Sequence, residues 1–239
     1  MATKPFMKLK VDHKTVLVRD MEVFRSLRDF LRNSGYASVY ETDRVGEAET
    51  AMATFACRND LTGECLAVVH GISSPKEPSH AQAPFVFGFG GKRQADARTY
   101  IQHLALRTTD LFKLKEYLDG KGADFLTPIY NDKDSFGPLL QAFTRELFDD
   151  EWFFIEFVQR DYDPDRVGKP GTRFVERTVE SLYKAKQDEF REWLTTREKR
   201  KFLDRMSPAE AKTVLREIIT NIDPQGYLPA VPPLAKAKI

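Results

Sequence analysis

The chain opens with an alternating pattern of apolar and polar residues over 9–18, which predicts a β-strand with His13 on its apolar face. Asp20 is a residue type that caps helices, and apolar positions recur after it at helical spacing as far as Gly35. Residues 8–72 therefore predict the order β-α-β-β-β. The three later strand patterns of this unit lie at 36–41, 51–57 and 64–71.

The same order of elements begins again at Tyr100. Shifting the sequence by 90 positions places His103 on His13 and Asp110 on Asp20. Strand, histidine, helix cap and helix thus recur in one register, which predicts an internal duplication. The expected architecture is α+β, with two tandem βαβββ modules. Strand patterns of the second module lie at 125–129, 139–144 and 152–159.

The modules are assigned to residues 8–72 and 99–160, which together form one predicted domain, 8–160. The linker between them, 73–98, is rich in Pro, Ser, Ala and Gly. It contains the stretch FVFGFGGK, which we interpret as an edge strand and a turn.

The pattern changes to helical beyond Arg160. A long charged helix is predicted over about 173–200, and the sequence SPAE at 207–210 is a capping box that opens another helix. We expect a lid helix and a C-terminal helical extension over 161–222. A mobile tail is expected over 223–239.

Composition narrows the class of protein. Hydrophobic residues make up 41% and charged residues 31% of the chain, as in soluble globular proteins. The net charge of +1 gives no reason to expect nucleic acid or a membrane surface as partner. The N-terminus lacks the apolar segment of a secretory signal, and Cys57 and Cys65 are interpreted as reduced thiols. We therefore expect a cytoplasmic protein.

Three residues are unusual for their positions. His13 and His103 each lie centrally in the first strand of a module, and Glu156 lies in the apolar strand WFFIEFVQ. A histidine alone is most often a satisfied core imidazole, and a lone glutamate fits an exposed edge or an arginine partner. Together, two imidazoles and one carboxylate suit a divalent iron with open coordination positions. The shift of 90 aligns Glu156 with Leu66, where the first module supplies no ligand.

Several motifs resemble the catalytic domain of the 4-hydroxyphenylpyruvate dioxygenase family, over about residues 8–185. That family belongs to the vicinal oxygen chelate superfamily, in which paired βαβββ modules form a cupped, glyoxalase-like mixed sheet around a metal. The matching motifs are VDH at 11–13, IQHLAL at 101–106, GPLLQAFT at 137–144, FFIEFVQR at 153–160 and GKPGTRFVERTVESL at 168–182.

The resemblance implies that His13, His103 and Glu156 are the ligands of an Fe(II) cofactor. It also implies a pocket that a lid helix closes near its start. The substrate-binding residues that it implies are Gln102, Gln141, Phe143 and Phe174.

The departures from the family concern the substrate. These residues contain no counterpart of the family's separate N-terminal domain, and Ala51-Met52 stands where its first module carries an Asn-Ser pair. The extension beyond about Lys186 has no counterpart either. Two roles for this extension stay open. It could seal the face that the N-terminal domain covers in the family, or it could form a homodimer contact. We expect the metal chemistry with a different substrate.

Three functions follow. The leading one is an Fe(II)-dependent dioxygenase that takes a 2-oxo acid and O2, with oxidative decarboxylation and oxygenation of the same substrate. The second is extradiol cleavage of a catechol, which requires a further histidine or tyrosine near the iron. Of the spare histidines only His70 lies on a predicted strand, and both His70 and His80 are interpreted as solvated. The third is a non-catalytic ligand-binding protein on the same scaffold.

Overall fold

A computed structural model of the chain describes residues 4–88, 97–135, 137–148, 151–160 and 174–223. Its strands are β1 (Lys10–Val18), β2 (Tyr36–Gly46), β3 (Ala51–Asn59), β4 (Cys65–Ile72), β5 (Thr99–Arg107), β6 (Tyr130–Asp134), β7 (Gly137–Phe143) and β8 (Phe154–Arg160). Its helices are α1 (Met21–Asn33), α2 (Ala83–Val86), α3 (Leu111–Gly120), α4 (Glu176–Thr196) and α5 (Pro208–Thr220).

One mixed sheet carries the two modules side by side, in the strand order β2-β3-β4-β1-β5-β8-β7-β6. The modules meet where β1 and β5 pair antiparallel. In this seam His13 lies opposite Ala105 and Thr15 lies opposite His103. These two pairs exchange under a shift of 90 residues, so the sheet has an approximate two-fold axis at the seam. The duplication predicted from sequence is therefore confirmed in the strand pairing.

Helices α1 and α3 cover one face of the sheet. Asp20 caps α1 by accepting a 2.8 Å hydrogen bond from the Val23 amide, and Asp110 caps α3 in the same way from Lys113. Beneath the helices lie two apolar clusters, one with Phe24 of α1 and one with Leu114 of α3. Burying each such side chain contributes roughly 1.5–3 kcal/mol. Neither α1 nor α3 covers the opposite face, which is the inside of the cup.

The C-terminal helices divide between the two faces. α5 begins with the predicted capping box of Ser207 and packs through Val214 and Ile218 into the same cluster as α3. α4 lies over the inside of the cup, where Tyr183 and Phe190 are buried. It is shorter than predicted, because the next residue, Arg197, is left-handed, with φ 60°. Across the described residues, we find no helix long and apolar enough to cross a membrane.

Two predicted strands are wrong. The apolar stretch 125–129 forms only a single bridge, between Phe125 and Thr144, and the strand is the polar segment β6 that follows it. Phe125 instead contacts Phe157 and Phe202 in the core. β6 is an edge strand, so its outward positions face solvent and tolerate polar residues.

The other wrong strand is the linker stretch FVFGFGGK. Its first two residues, Phe85 and Val86, belong to the short helix α2. Residues 89–96 and the predicted tail beyond residue 223 lie outside the described residues.

Gly46 is the position where the fold most clearly excludes a side chain. Its φ is +134°, and a Cβ there would lie 2.7 Å from Cε1 of Tyr183 and 2.9 Å from the Cα of Ala51. We expect Gly46→Ala to lower the free energy of unfolding by about 2–3 kcal/mol, measured by urea denaturation. Gly120→Ala is the control, because nothing lies within 4 Å of a Cβ there. Equal urea midpoints for the two variants would contradict the close packing of α4 on β2.

Candidate metal centre

The three residues singled out from sequence converge inside the cup. One ligand atom from each of His13, His103 and Glu156 lies within 4.8 Å of the other two. The Oε2 atom of Glu156 lies 3.2 Å from Nε2 of His13 and 3.4 Å from Nε2 of His103. All three side chains are buried.

The pairing of three adjacent strands explains this convergence. Ala105 on β5 lies between His13 on β1 and Glu156 on β8. Its neighbours are thus about 10 Å apart across the sheet, and both point to the same face. The methyl group of Ala105 leaves space above it, and His103 comes from two positions earlier on β5 with the same orientation. The three side chains meet over this alanine.

Two irregularities in the seam place additional polar residues at the site. The register shifts between Val11 and His13, and again where Thr15 and Val16 face His103 and Ile101. At the first shift the carboxylate of Asp12 reaches the ring of the adjacent His13, with Nδ1 3.1 Å from Oδ2. At the second, Gln102 lines the same cavity as the adjacent His103. Strict alternation would put each of these neighbours on the other face.

Asp12 connects His13 to a buried network of charges. Arg160 donates from Nε and Nη2 to the two oxygens of Asp12, each at 3.1 Å, and from Nη1 to Asp134. Because Asp12 accepts from Nδ1, His13 presents Nε2 toward Glu156. Such carboxylate–imidazole pairs fix the orientation and the tautomer of metal-binding histidines.

The glutamate is also held by a partner. Gln141 on β7 donates from Nε2 to Oε1 of Glu156 at 2.6 Å, which leaves Oε2 for the two histidines. The other amide atom of Gln141, Oε1, is buried with no partner among the described residues. Phe143 lies two positions further along the same strand and lines the same cavity.

Aromatic rings enclose the two histidines. Phe154 stacks on His103 with ring centroids 4.6 Å apart, and Phe174 packs edge-on against His13 at 4.9 Å. Nε2 of His103 lies 2.9 Å from Oγ1 of Thr15. Nδ1 of His103 has no hydrogen-bond partner among the described residues, so the two histidines are held differently.

Burial and charge together set the protonation of the cluster. Burial lowers the pKa of His13, but the carboxylates of Glu156 and Asp12 outweigh it and raise this pKa to about 9. Burial raises the pKa of Glu156, but the two histidines lower it to about 2. Burial lowers the pKa of His103. Without a bound cation, His13 is therefore protonated on both ring nitrogens at neutral pH. A bound divalent metal would displace the proton on Nε2, the nitrogen that faces Glu156.

All seven residues predicted for the site line one cavity of about 50 Å³. The wall is mostly apolar, and α4 closes it from above. The predicted residues are His13, Gln102, His103, Gln141, Phe143, Glu156 and Phe174. Further lining residues on α4 include Thr178, Val179, Leu182 and Lys186.

The residue of the first module that corresponds to Glu156 under the two-fold axis is Ala67, one position after the predicted Leu66. Thr15 pairs with Ala67 in the first module, and its equivalent Ala105 pairs with Glu156 in the second. Ala67, and not Leu66, therefore occupies the equivalent position, and it lines the cavity. The first module has a methyl group where the second has a carboxylate.

His80 was wrongly predicted to be solvated. It is buried and lines the cavity, next to Tyr183 at 4.9 Å between ring centroids. Its backbone amide donates to Gln187 of α4 at 2.8 Å, which anchors the segment between the modules. His70 is half-buried, with Nδ1 3.3 Å from the Val18 carbonyl oxygen. The Pro- and Ser-rich composition around His80 gave no periodic pattern that would indicate burial.

Lys186 is a second cavity residue that sequence reasoning missed. Its ammonium contacts Glu146, lies 2.6 Å from Glu189 and lies 4.7 Å from the ring centroid of Phe154. The two carboxylates outweigh the effect of burial and raise its pKa. A buried cation therefore stands next to the aromatic ring that stacks on His103.

Comparisons with known proteins identify the fold. No family model matches the sequence, and neither does any curated protein. The structure is similar to a triple mutant of 4-hydroxymandelate synthase from Streptomyces coelicolor, with a TM-score of 0.62 and 21% identity over 77% of this chain and 56% of that one. The chain has the vicinal oxygen chelate fold.

The chain spans just over half the length of that synthase. It also matches methylmalonyl-CoA epimerase from Mycobacterium tuberculosis, with a TM-score of 0.41 and 17% identity over 68% of this chain and 93% of that one. The similarity to the synthase, together with the strand order, confirms the cupped mixed sheet that the sequence motifs implied.

The burial of His80 generates a prediction about acid stability. Burial and the charge of Lys186 lower its pKa from 6.5 to about 3, so below pH 6.5 the unfolded chain takes up a proton that the folded chain does not. Stability falls as the pH falls from 6.5 to 4.5. His80→Asn is expected to reduce this slope by up to about 1.4 kcal/mol per pH unit, measured by urea denaturation in EDTA. Parallel slopes for variant and wild type would show that His80 titrates normally.

Proposed function

We propose that the chain is a mononuclear non-haem Fe(II) dioxygenase that acts on a 2-oxo acid. The observation that carries this proposal is the convergence of His13, His103 and Glu156 at one end of a buried cavity. In this proposal residues 8–160 form the metal-binding domain, and α4 closes the cavity as part of a lid and extension over 161–222.

The donor set fits the metal. Two imidazole nitrogens and one carboxylate oxygen within 4.8 Å form a three-sided set that leaves the cavity side open. This combination suits Fe(II) in oxygenases. When bound, the iron supplies the coordination positions and the electrons for the reaction of O2 with a 2-oxo acid.

The surrounding side chains orient the ligands and exclude water. Gln141 fixes one oxygen of Glu156, and Asp12 fixes the ring of His13. The free Oε1 of Gln141 and the amide of Gln102 are available for a polar group of the substrate. Phe143 and the other apolar residues of the wall suit an apolar body.

Extradiol cleavage of a catechol is the second candidate. It requires a histidine or tyrosine beyond the ligands, and the cavity offers both His80 and Tyr183. The pKa of His80, lowered to about 3 by burial and Lys186, makes this imidazole a weak proton acceptor. We therefore rank this reaction second, and the release of carbon dioxide distinguishes the two.

The proposal is tested by anaerobic reconstitution of the full chain with Fe(II) and a screen of 2-oxo acids. Chelation of the iron by the substrate is expected to give a visible charge-transfer band. Admission of oxygen should then consume O2 and release carbon dioxide in equal amounts. Oxygen uptake with a catechol and no carbon dioxide would favour ring cleavage, and no reaction with either class would contradict both.

Removal of the carboxylate should abolish iron binding. Glu156→Ala leaves only the two imidazoles as ligands. At a limiting concentration of free iron, we expect the iron content of the protein, measured by elemental analysis, to fall at least about 100-fold. Oxygen uptake should be lost as well. The control is Glu41→Ala, which removes a carboxylate that pairs with Arg32 on the surface. Unchanged iron content in the Glu156 variant would refute the assignment.

Asp12 should support both the metal and the fold. Asp12→Asn removes a charge from the buried Arg160 and weakens the orientation of His13. We expect Fe(II) affinity, measured by chelator competition, to fall roughly 10–100-fold, and the free energy of unfolding to fall by about 3 kcal/mol. Asp29→Asn is the control, because Asp29 is an exposed carboxylate that pairs with Arg28 on the surface of α1. Equal iron affinities for the two variants would remove Asp12 from the proposed site.

A further inference from the structure

The half of the cavity formed by the first module and the linker contains polar atoms for which the described residues provide no partner. Oγ1 of Thr54 and Nδ1 of His80 are buried, and neither has a hydrogen bond among the described residues. The two residues are 4% and 6% exposed, respectively, and both line the cavity. Apolar residues of the same half, among them Met52 and Val69, surround them.

The two-fold relation between the modules explains why Thr54 lacks a partner. Thr54 pairs with Val69 on β4, and Gln141 pairs with Val158 on β8. Since Ala67 is the counterpart of Glu156, Thr54 is the counterpart of Gln141. Gln141 donates to the carboxylate of Glu156, whereas Ala67 offers no acceptor to Thr54. The first module thus keeps a polar side chain at this position without the carboxylate.

His80 presents an uncharged imidazole to the same space. Its ring packs on Tyr183, and its backbone amide donates to Gln187, so the ring position is fixed from two sides. A neutral imidazole offers one donor and one acceptor. The nearby Lys186 ammonium, already held by Glu189 and Glu146, disfavours a second cation.

A buried polar atom without a partner costs roughly 1–3 kcal/mol, so such atoms are normally satisfied by water or by a ligand. Two of them in the wall of one cavity therefore indicate a recognition element. A hydroxyl or amide group is both donor and acceptor, and it would satisfy Thr54 and His80 without bringing a charge into the apolar wall.

We propose that Thr54 and His80 form a second polar subsite, which receives an uncharged hydroxyl or amide group of a ligand that shares the cavity with the metal centre. The identity of that ligand as a 2-oxo acid rests on the proposed function, whereas the subsite itself does not. The subsite lies on β3 of the first module and on the linker that follows it, whereas the three metal-binding candidates meet at the seam and β8.

The test uses the full chain in EDTA and two probes that differ by one hydroxyl group, 4-methylphenol and toluene. Their affinities are measured by ligand-observed NMR titration. One hydrogen bond in a buried site is worth enough for a preference of about 5-fold for the phenol in the wild type. His80→Phe and Thr54→Val are each expected to reduce this preference to about 2-fold or less, while toluene binding changes little.

Two further variants separate a contact from a structural effect. His80→Asn keeps a donor and an acceptor and should retain part of the preference. His70→Phe is the matched control, because His70 does not line the cavity and already contacts the Val18 carbonyl. If His80→Phe does not fold, as judged by near-ultraviolet circular dichroism, Thr54→Val carries the test.

Three results would overturn the proposal. They are equal affinity of the wild type for the two probes, no binding of either probe, and an equal loss of preference in His70→Phe. Iron and oxygen are absent from the assay. The probe titration therefore tests the subsite alone. Iron content and oxygen uptake test the dioxygenase proposal, and either proposal can fail without the other.

Discussion

The antiparallel pairing of β1 with β5 is the interaction on which the rest of the site depends. It brings the two modules together about an approximate two-fold axis and sets Ala105 between His13 and Glu156. A slip of one residue in this pairing would turn the side chains of a strand to the opposite face. The helices on one face of the sheet hold this register. Their apolar residues pack against the apolar side chains of the strands, and a slip of one residue would remove those side chains from that face.

The buried charges beside the seam compensate one another. The side chains of Glu156, Asp12, Asp134 and Arg160 are all buried, and each has an oppositely charged or hydrogen-bonded neighbour. Desolvation opposes every ionised form, yet the mutual interactions hold the pKa values of Asp12 and Glu156 below their usual range. The network runs from β6 to β1 and so fastens the second module to the first.

Much of this arrangement could be predicted from the sequence because it follows periodic patterns. The caps at Asp20 and Asp110 and the recurrence of the histidines fixed the modules and the candidate ligands. The strand β6 could not be found, because an edge strand needs no apolar alternation. The inward position of Asp12 depends on a bulge, which a regular strand pattern does not contain. The burial of His80 depends on contacts with α4, more than 100 residues away in the chain.

Ala67 shows how the two halves of a duplicated domain have come to differ. With a methyl group in place of a carboxylate, the first module contributes one strand residue, His13, to the cluster, and its other cavity residues are Thr15 on β1 and residues on β3 and β4. Substitutions on those two strands alter the shape and polarity of the cavity without touching β5 or β8. Changes in the shape of the cavity and changes in the histidine–glutamate cluster can thus arise on different strands of one sheet.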